Sequence, residues 1–264
     1  MKILVLIKQT PDTETKIRVK ADGKGIETGD IKYIINPYDE FAIEEALQIK
    51  EKNGGTPEVV VASFGTEATR ELIVKGLAMG GDRGLLIDNA GLTEVDGLTA
   101  ARVLAAAVQA EKPDLVLVGK QAIDDDNMHV GTMLAELLGW PHVNVVTKLA
   151  LEGGRAKAER EVEGGQVEVY DVGLPAVFGA HKSLNTPRYA SLPGIMKAKK
   201  KPLDKKTPAD FGLEAGKLQS GNRTVFTGFK NPPEKPKGQI FKGEDVEVMV
   251  SKVVKLLREE AKVI

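Results

Sequence analysis

The sequence predicts an α/β fold: a doubly wound, mostly parallel sheet with helices on both faces, an added β-hairpin, and an extended C-terminal arm ending in a helix. Three observations carry that expectation. Over residues 1–147, short β-branched apolar runs alternate with helical apolar stripes. Two segments of alternating polarity flank Gly164-Gly165. Beyond residue 200, prolines interrupt any periodicity until one last amphipathic stretch.

The runs at 3–7, 59–62, 85–87 and 115–118 are nearly continuous in apolar residues, the signature of strands covered on both faces. Between them, Phe41, Ala42, Ala46 and Leu47 mark one helical stripe, Leu72, Ile73, Leu77 and Met79 a second, and Val103, Leu104, Ala107 and Val108 a third. Strand–helix–strand repetition gives a parallel sheet, and right-handed crossovers place helices on both faces. Residues 155–163 and 166–172 alternate in polarity around the Gly-Gly pair and predict a hairpin, with 174–178 as a further strand. Pro202, Pro208, Pro232, Pro233 and Pro236 punctuate a segment too long for a free loop in a compact domain; it is expected to wrap another surface. Residues 244–263 close the chain as an amphipathic helix with Val246, Val250, Val253, Val254 and Leu257 on one side. The body is thus expected over residues 1–200, with the hairpin at 148–178, and the arm over 201–264.

With 264 residues and 42% hydrophobic content, the chain can bury a real core. The absence of cysteine excludes a disulfide scaffold, a thiol nucleophile, a cysteine zinc site and an iron–sulfur cluster. No apolar run approaches the ~20 residues of a membrane span, and the first apolar stretch is too short for a secretion signal. A cytoplasmic or matrix-type compartment is expected. The net charge of −1 hides an asymmetry: residues 1–181 carry 19 basic and 29 acidic groups, residues 182–264 carry 18 and 9. Lys197-Ala198-Lys199-Lys200-Lys201 is the densest basic stretch, either a solvated arm or a surface that meets something acidic.

In an open α/β sheet, ligands sit beyond the carboxyl ends of the strands. Four segments belong there. Lys8-Gln9-Thr10-Pro11-Asp12 follows the first strand. Asn36-Pro37-Tyr38-Asp39-Glu40 opens a helix: Asn36 suits the N-cap, Pro37 the first helical position, and Asp39 can close a capping box. Ser63-Phe64-Gly65-Thr66 is a tight strand-to-helix turn in which glycine lets a ligand approach backbone N–H groups. The fourth, Gly119-Lys120-Gln121-Ala122-Ile123-Asp124-Asp125-Asp126-Asn127, lies between a buried strand and the helix at 129–138. It carries three readings. The aspartates complement the positive end of a helix dipole; they suit a Mg²⁺ site for nucleotide chemistry; or the loop cups a base and ribose while the helix N-terminus holds a phosphate.

The P-loop, the dinucleotide glycine fingerprint and the nucleophile elbow are all missing. His129, His142 and His181 lack metal-ligand spacing and read as surface or capping residues. No nucleophile–base–acid set assembles, so a cofactor-binding protein is expected, with no metal and no catalytic residue. Nothing points to nucleic acid.

At this point the residues resemble a known family, the β subunit of electron transfer flavoprotein. The resemblance runs nearly the full length, through Lys16-Ile17-Arg18-Val19-Lys20, Asn36-Pro37-Tyr38-Asp39-Glu40, Ala78-Met79-Gly80-Gly81-Asp82-Arg83-Gly84, the Gly119 to Asp126 loop, Asn185-Thr186-Pro187-Arg188-Tyr189 and Leu192-Pro193-Gly194-Ile195-Met196-Lys197 with the lysines after it. Around the hairpin the family signature is met by Arg160, Glu163-Gly164-Gly165, Glu168 and Pro175, and departs at Tyr170 and Phe178, where aliphatic residues are usual.

The resemblance implies a heterodimer with an α subunit that holds most of the FAD. It would accept electrons from acyl-CoA and related dehydrogenases and pass them to a membrane quinone oxidoreductase, with no bond-making chemistry in the β subunit. Fatty acid oxidation is the implied setting, in a bacterial cytoplasm or a mitochondrial matrix. In the ordinary branch the β subunit binds AMP; in the bifurcating branch the same pocket holds a second FAD. The latter tends to carry glycine where this chain has Asp125, so AMP is implied. Carried over, the AMP pocket comprises Leu6, Asn36, Pro37, Tyr38, Asp39, Phe64, Gly119, Lys120, Gln121, Ala122, Ile123, Asp124, Asp125, Asp126 and Asn127. The amides of Met128, His129, Val130 and Gly131 take the phosphate, and Tyr38 approaches the FAD. Residues 189–201 match the partner-recognition loop: Tyr189, Pro193, Ile195, Met196, Lys197, Lys199, Lys200 and Lys201 surround the anchor Leu192. The competing reading from another class is a stand-alone Mg²⁺-dependent nucleotide enzyme.

Overall fold

The computed structural model describes residues 1–89, 91–235 and 237–264. Strand β1 (Lys2–Leu6) leads through a small antiparallel pair, β2 (Gln9–Pro11) and β3 (Tyr33–Ile35), into α1 (Pro37–Lys52). Then follow β4 (Glu58–Gly65), α2 (Arg70–Met79), β5 (Arg83–Asp88), α3 (Gly97–Glu111), β6 (Leu115–Gly119) and α4 (Val130–Leu138). The second half holds β7 (His142–Glu152), β8 (Arg155–Glu161), β9 (Val167–Gly173), β10 (Ala176–Ala180), α5 (Leu192–Ala198), β11 (Leu203–Lys206), α6 (Ala215–Ser220) and α7 (Val246–Glu259). Nine strands form one sheet in the order β11-β5-β4-β1-β6-β10-β7-β8-β9. Pairing is parallel from β11 to β7 and antiparallel through β8 and β9.

Side chains of a strand alternate between faces, and here both faces are dry. Ile3, Val5 and Ile7 join the layer under α1 and α2. Leu4 and Leu6 join the layer under α3 and α4. Each such burial contributes about 1.5–3 kcal/mol, which is why the run at 3–7 carries no polar residue. The expected α/β class, hairpin and closing helix are all present. The Gly164-Gly165 turn also forms as read, with φ of +73° at both residues, a region glycine enters at little steric cost.

Two features depart from the sequence reading. The long strand β7 was not anticipated, because it changes role along its length. It runs parallel to β10 in its first half and antiparallel to β8 in its second, so no single periodicity marks it. The boundary at 200/201 also moves. β11 extends the sheet beside β5, and Leu218 of α6 is buried in the α3–α4 layer. The compact body therefore runs to about Asn222, whose Oδ1 accepts the Thr99 hydroxyl at 2.6 Å. From residue 223 onward none of the described residues is buried.

Candidate functional site

From β1 the chain moves to β4 and β5 on one side of the sheet, and β6 then lies on the other side of β1. A crevice opens at such a switch point. It has a volume of about 310 Å³ and reaches from the ends of β1 and β6 to the starts of α3 and α4, at the small end of ligand pockets (about 300–1,000 Å³).

The structure brings most of the expected residues to this cleft: Leu6, Asn36, Asp39, Phe64, Gly119, Lys120, Gln121, Ala122, Asp125, Asn127, Met128, His129, Val130 and Gly131 all line it. Pro37, Tyr38, Ile123, Asp124 and Asp126 do not. The Tyr38 ring instead has its centroid 5.0 Å from the ammonium of Lys120, which does line the cleft, a cation–π distance. Lys8 lines the cleft from the segment expected to follow the first strand, and Asp96 and Gly97 line it without having been foreseen. Lys8 carried a signal, as a charge directly after the first strand. Asp96 carried another, since its Oδ1 accepts the Thr99 amide at 2.7 Å as the N-cap of α3.

The three aspartates do not stand at a helix N-terminus, because α4 begins only at Val130. Asp124 and Asp125 turn instead to the Lys8 ammonium, at 2.8 and 3.1 Å. Burial alone would lower the Lys8 pKa, but its bonds and charge pairing with these two carboxylates outweigh it and raise the pKa. Among the described residues, no group of three or more histidines or acids is arranged to hold a metal.

The start of α4 faces the cleft with no side-chain cap. Its first N–H groups and the positive end of its dipole are therefore directed at whatever occupies the cleft. Just before it, Asp126 and Met128 hold φ of +51° and +57°. Non-glycine residues in this region are strained, and such strain gathers at ligand loops.

Asp39 does not close a capping box either: Asn36 makes no side-chain cap. The Asn36 side chain turns sideways, donating to Asp39 Oδ1 at 2.9 Å and to the Gln121 carbonyl at 2.8 Å. Asp39 is pushed up to about 7 by burial, against the opposing pull of N–H donors from Lys8, Asn36 and Gly119. Gly65 makes room for the Thr69 hydroxyl, which would lie 2.6 Å from an added Cβ. One histidine also differs from expectation: His142 is half-buried, with its pKa lowered to about 4 by burial and then by Arg160.

The segment at 189–201, expected as a recognition loop, is not a loop throughout, since α5 occupies 192–198. Ser191 caps it through the Gly194 amide at 3.1 Å. Buried Ala198 anchors it, while Tyr189 (98%), Leu192 (74%) and Met196 (68%) stand exposed, with Pro193, Ile195, Lys197, Lys199 and Lys200 also at the surface. Lys201 does not join them. Its ammonium donates to the carbonyls of Leu77 and Gly81 at 2.9 and 2.5 Å, neutralising the end of α2. Before α5, the Arg188 guanidinium clasps Glu44 at 2.8 Å and Glu51 at 2.5 Å, fixing the segment to α1.

Residues 25–211 match the family model described as the electron transfer flavoprotein domain. That match and the relatives below decide the family. This chain belongs to the electron transfer flavoprotein β subunits. It is 44% identical to the electron transfer flavoprotein subunit beta of Bacillus subtilis over the whole of both chains. The human subunit is 41% identical over 98% of each chain. The Bradyrhizobium diazoefficiens subunit is 49% identical over 81% of this chain and 84% of that protein. As an electron transfer flavoprotein β subunit, the chain is an electron-carrier component of a flavin-dependent system and works with an α subunit. No helix among the described residues is long and apolar enough to cross a membrane.

Proposed function

We propose that this β subunit holds AMP in the β1–β6 crevice and helps its α subunit hold FAD, passing electrons from acyl-CoA and related dehydrogenases toward a membrane quinone oxidoreductase. The observation that carries the AMP reading is the uncapped start of α4 aimed into a mononucleotide-sized cleft. Backbone N–H groups of Met128, His129, Val130 and Gly131 would receive the phosphate. Apolar Leu6 and Phe64, with the backbone of Gly119 to Ala122, would flank the adenosine. The FAD supplies the reversible electron chemistry; this chain's residues bind, orient and shield. Tyr38, outside the cleft and steadied by Lys120, would face the flavin.

Asp125 favours AMP over a second flavin. Its carboxylate is tied to Lys8 beside the cleft, where a larger ligand would need room. Leu192, as an exposed apolar knob followed in the chain by exposed Lys197, Lys199 and Lys200, fits a hot spot that docks on a dehydrogenase while the lysines speed encounter. The exposed face of α7 would pack on the α subunit.

The deciding experiment is acid release of ligands from the co-purified two-subunit complex, with identification by mass. One AMP and one FAD per heterodimer are expected. Two FAD and no AMP would establish the bifurcating type instead. Metal-dependent ATP turnover by the complex would return the Mg²⁺ enzyme reading.

A further inference from the structure

The carboxylate of Asp39 lies in the floor of the cleft, only 5% exposed. Its Oδ2 accepts the amide of Lys8 at 2.6 Å. Its Oδ1 accepts the amide of Gly119 at 3.0 Å and the Asn36 Nδ2 at 2.9 Å. Lys8 follows β1 within two residues and Gly119 ends β6, so this one side chain bridges the two strands between which the crevice opens. Asn36 lengthens the bridge, donating to the Gln121 carbonyl at 2.8 Å and accepting the Ile123 amide at 3.2 Å. Gly119 is required for the approach: a Cβ there would lie 2.3 Å from Asp39 Oδ1 and 2.7 Å from Tyr38 Cβ.

The chemistry of the junction selects a carboxylate. Three N–H donors converge on two oxygens, and an ionised carboxylate offers only acceptors. An amide of the same shape would turn one accepting atom into a donor that faces an N–H.

We infer that Asp39 is a positioning residue for the ligand loop: its carboxylate ties the ends of β1 and β6 together and, through Asn36, sets residues 119–123 in the shape that receives the adenosine part of a nucleotide. The inference rests on the nucleotide reading of the cleft. Asp39 acts through backbone, since protein N–H groups already fill three of its roughly four acceptor sites. The phosphate end, at the start of α4, lies outside its reach.

The test uses the two-subunit complex, stripped of nucleotide, at pH 8, where the carboxylate is ionised. Wild type, Asp39→Asn and Asp39→Ala are compared by amide hydrogen exchange and by calorimetric titration with AMP and with adenosine. Exchange over residues 119–127 should rise at least tenfold in both variants, while exchange in the hairpin stays at the wild-type rate. Affinity for AMP and for adenosine should fall together, by roughly ten- to a hundredfold, leaving the preference for AMP over adenosine unchanged. A general loss of structure would erase that preference too. If Asp39→Ala does not assemble, the isosteric Asp39→Asn carries the comparison. Unchanged exchange over 119–127, or raised exchange with unchanged AMP affinity, overturns the inference. Failure of the wild-type complex to bind AMP overturns the nucleotide reading itself, whatever the variants do.

Discussion

The body up to residue 222 and the segment after it follow opposite rules. In the body even charges are enclosed and partnered: Glu44 and Glu45 are each 3% exposed and are held by Arg188 and Asn185. In the segment after it, apolar side chains stand in water, with Val246 at 67%, Val250 at 55% and Val253 at 39% exposure. Among the described residues, what supports α7 within the chain is local: the Asp245 cap on the Glu247 amide at 2.9 Å, a Lys252–Glu244 pair at 2.5 Å and a Lys255–Glu259 pair at 3.9 Å. An i,i+4 pair such as the last contributes about 0.2–0.5 kcal/mol, and a helix of this length is marginal alone. The difference teaches that the body specifies itself, whereas α7 carries an apolar face that the described residues of this chain leave uncovered.

Removing residues 223–264 should break the comparison most sharply. Co-purification of the α subunit should fall at least tenfold while the thermal midpoint of the body barely moves. A large drop in that midpoint would show that the two regions stabilise one another.

Within the body, two buried acids should respond to pH with opposite sign. Asp39 is raised from an ordinary 3.8 to about 7 by burial, so the folded state retains its proton where the unfolded chain has lost it. Its contribution is present below 3.8 and is lost as pH climbs through 7, amounting to about 4 kcal/mol at ~1.4 kcal/mol per pH unit. Asp39→Asn should flatten the fall in unfolding free energy between pH 4 and 8 relative to wild type. Glu44 shifts the other way: burial would raise it, but hydrogen bonds from Arg188 and Gln48 outweigh that and hold it below 4.5. Its stabilisation is present above 4.5 and lost as pH falls. Arg188→Ala should therefore lower stability by about 2 kcal/mol at pH 7, read from the urea midpoint, by leaving a buried carboxylate without its partner.

The smallest effects on stability belong to the exposed helix α5. Leu192→Ala should change stability by less than about 0.5 kcal/mol, while slowing electron acceptance from a dehydrogenase. Equal rates would remove its anchoring role. Neutralising Lys197, Lys199 and Lys200 should flatten the salt dependence of that rate. Lys201→Met should leave the salt dependence alone and destabilise the α2 end instead, because its ammonium is already spent on carbonyls.

Much of this was legible in the residues. The apolar runs around Val5, Val61 and Leu117 announced buried parallel strands, and the valine stripe of α7 announced an unpartnered face. The family motifs brought fourteen of the expected pocket residues to one cleft. The errors share a cause. Lys201 reads like its neighbours until the end of α2 comes within reach of it, and Asp39 reads as a capping residue until Lys8 and Gly119 present their amides. β7 was hidden because its two halves answer to two different neighbours.

The sequence by itself determined the layering, the strand and helix types and the region left without a core, because periodic burial follows from local spacing. Only the tertiary structure decided which carboxylates point inward and what they hold. Those choices depend on the backbone N–H groups of Lys8 and Gly119 and the side-chain amide of Asn36 coming together, and no local pattern in one chain segment encodes a donor that arrives from another.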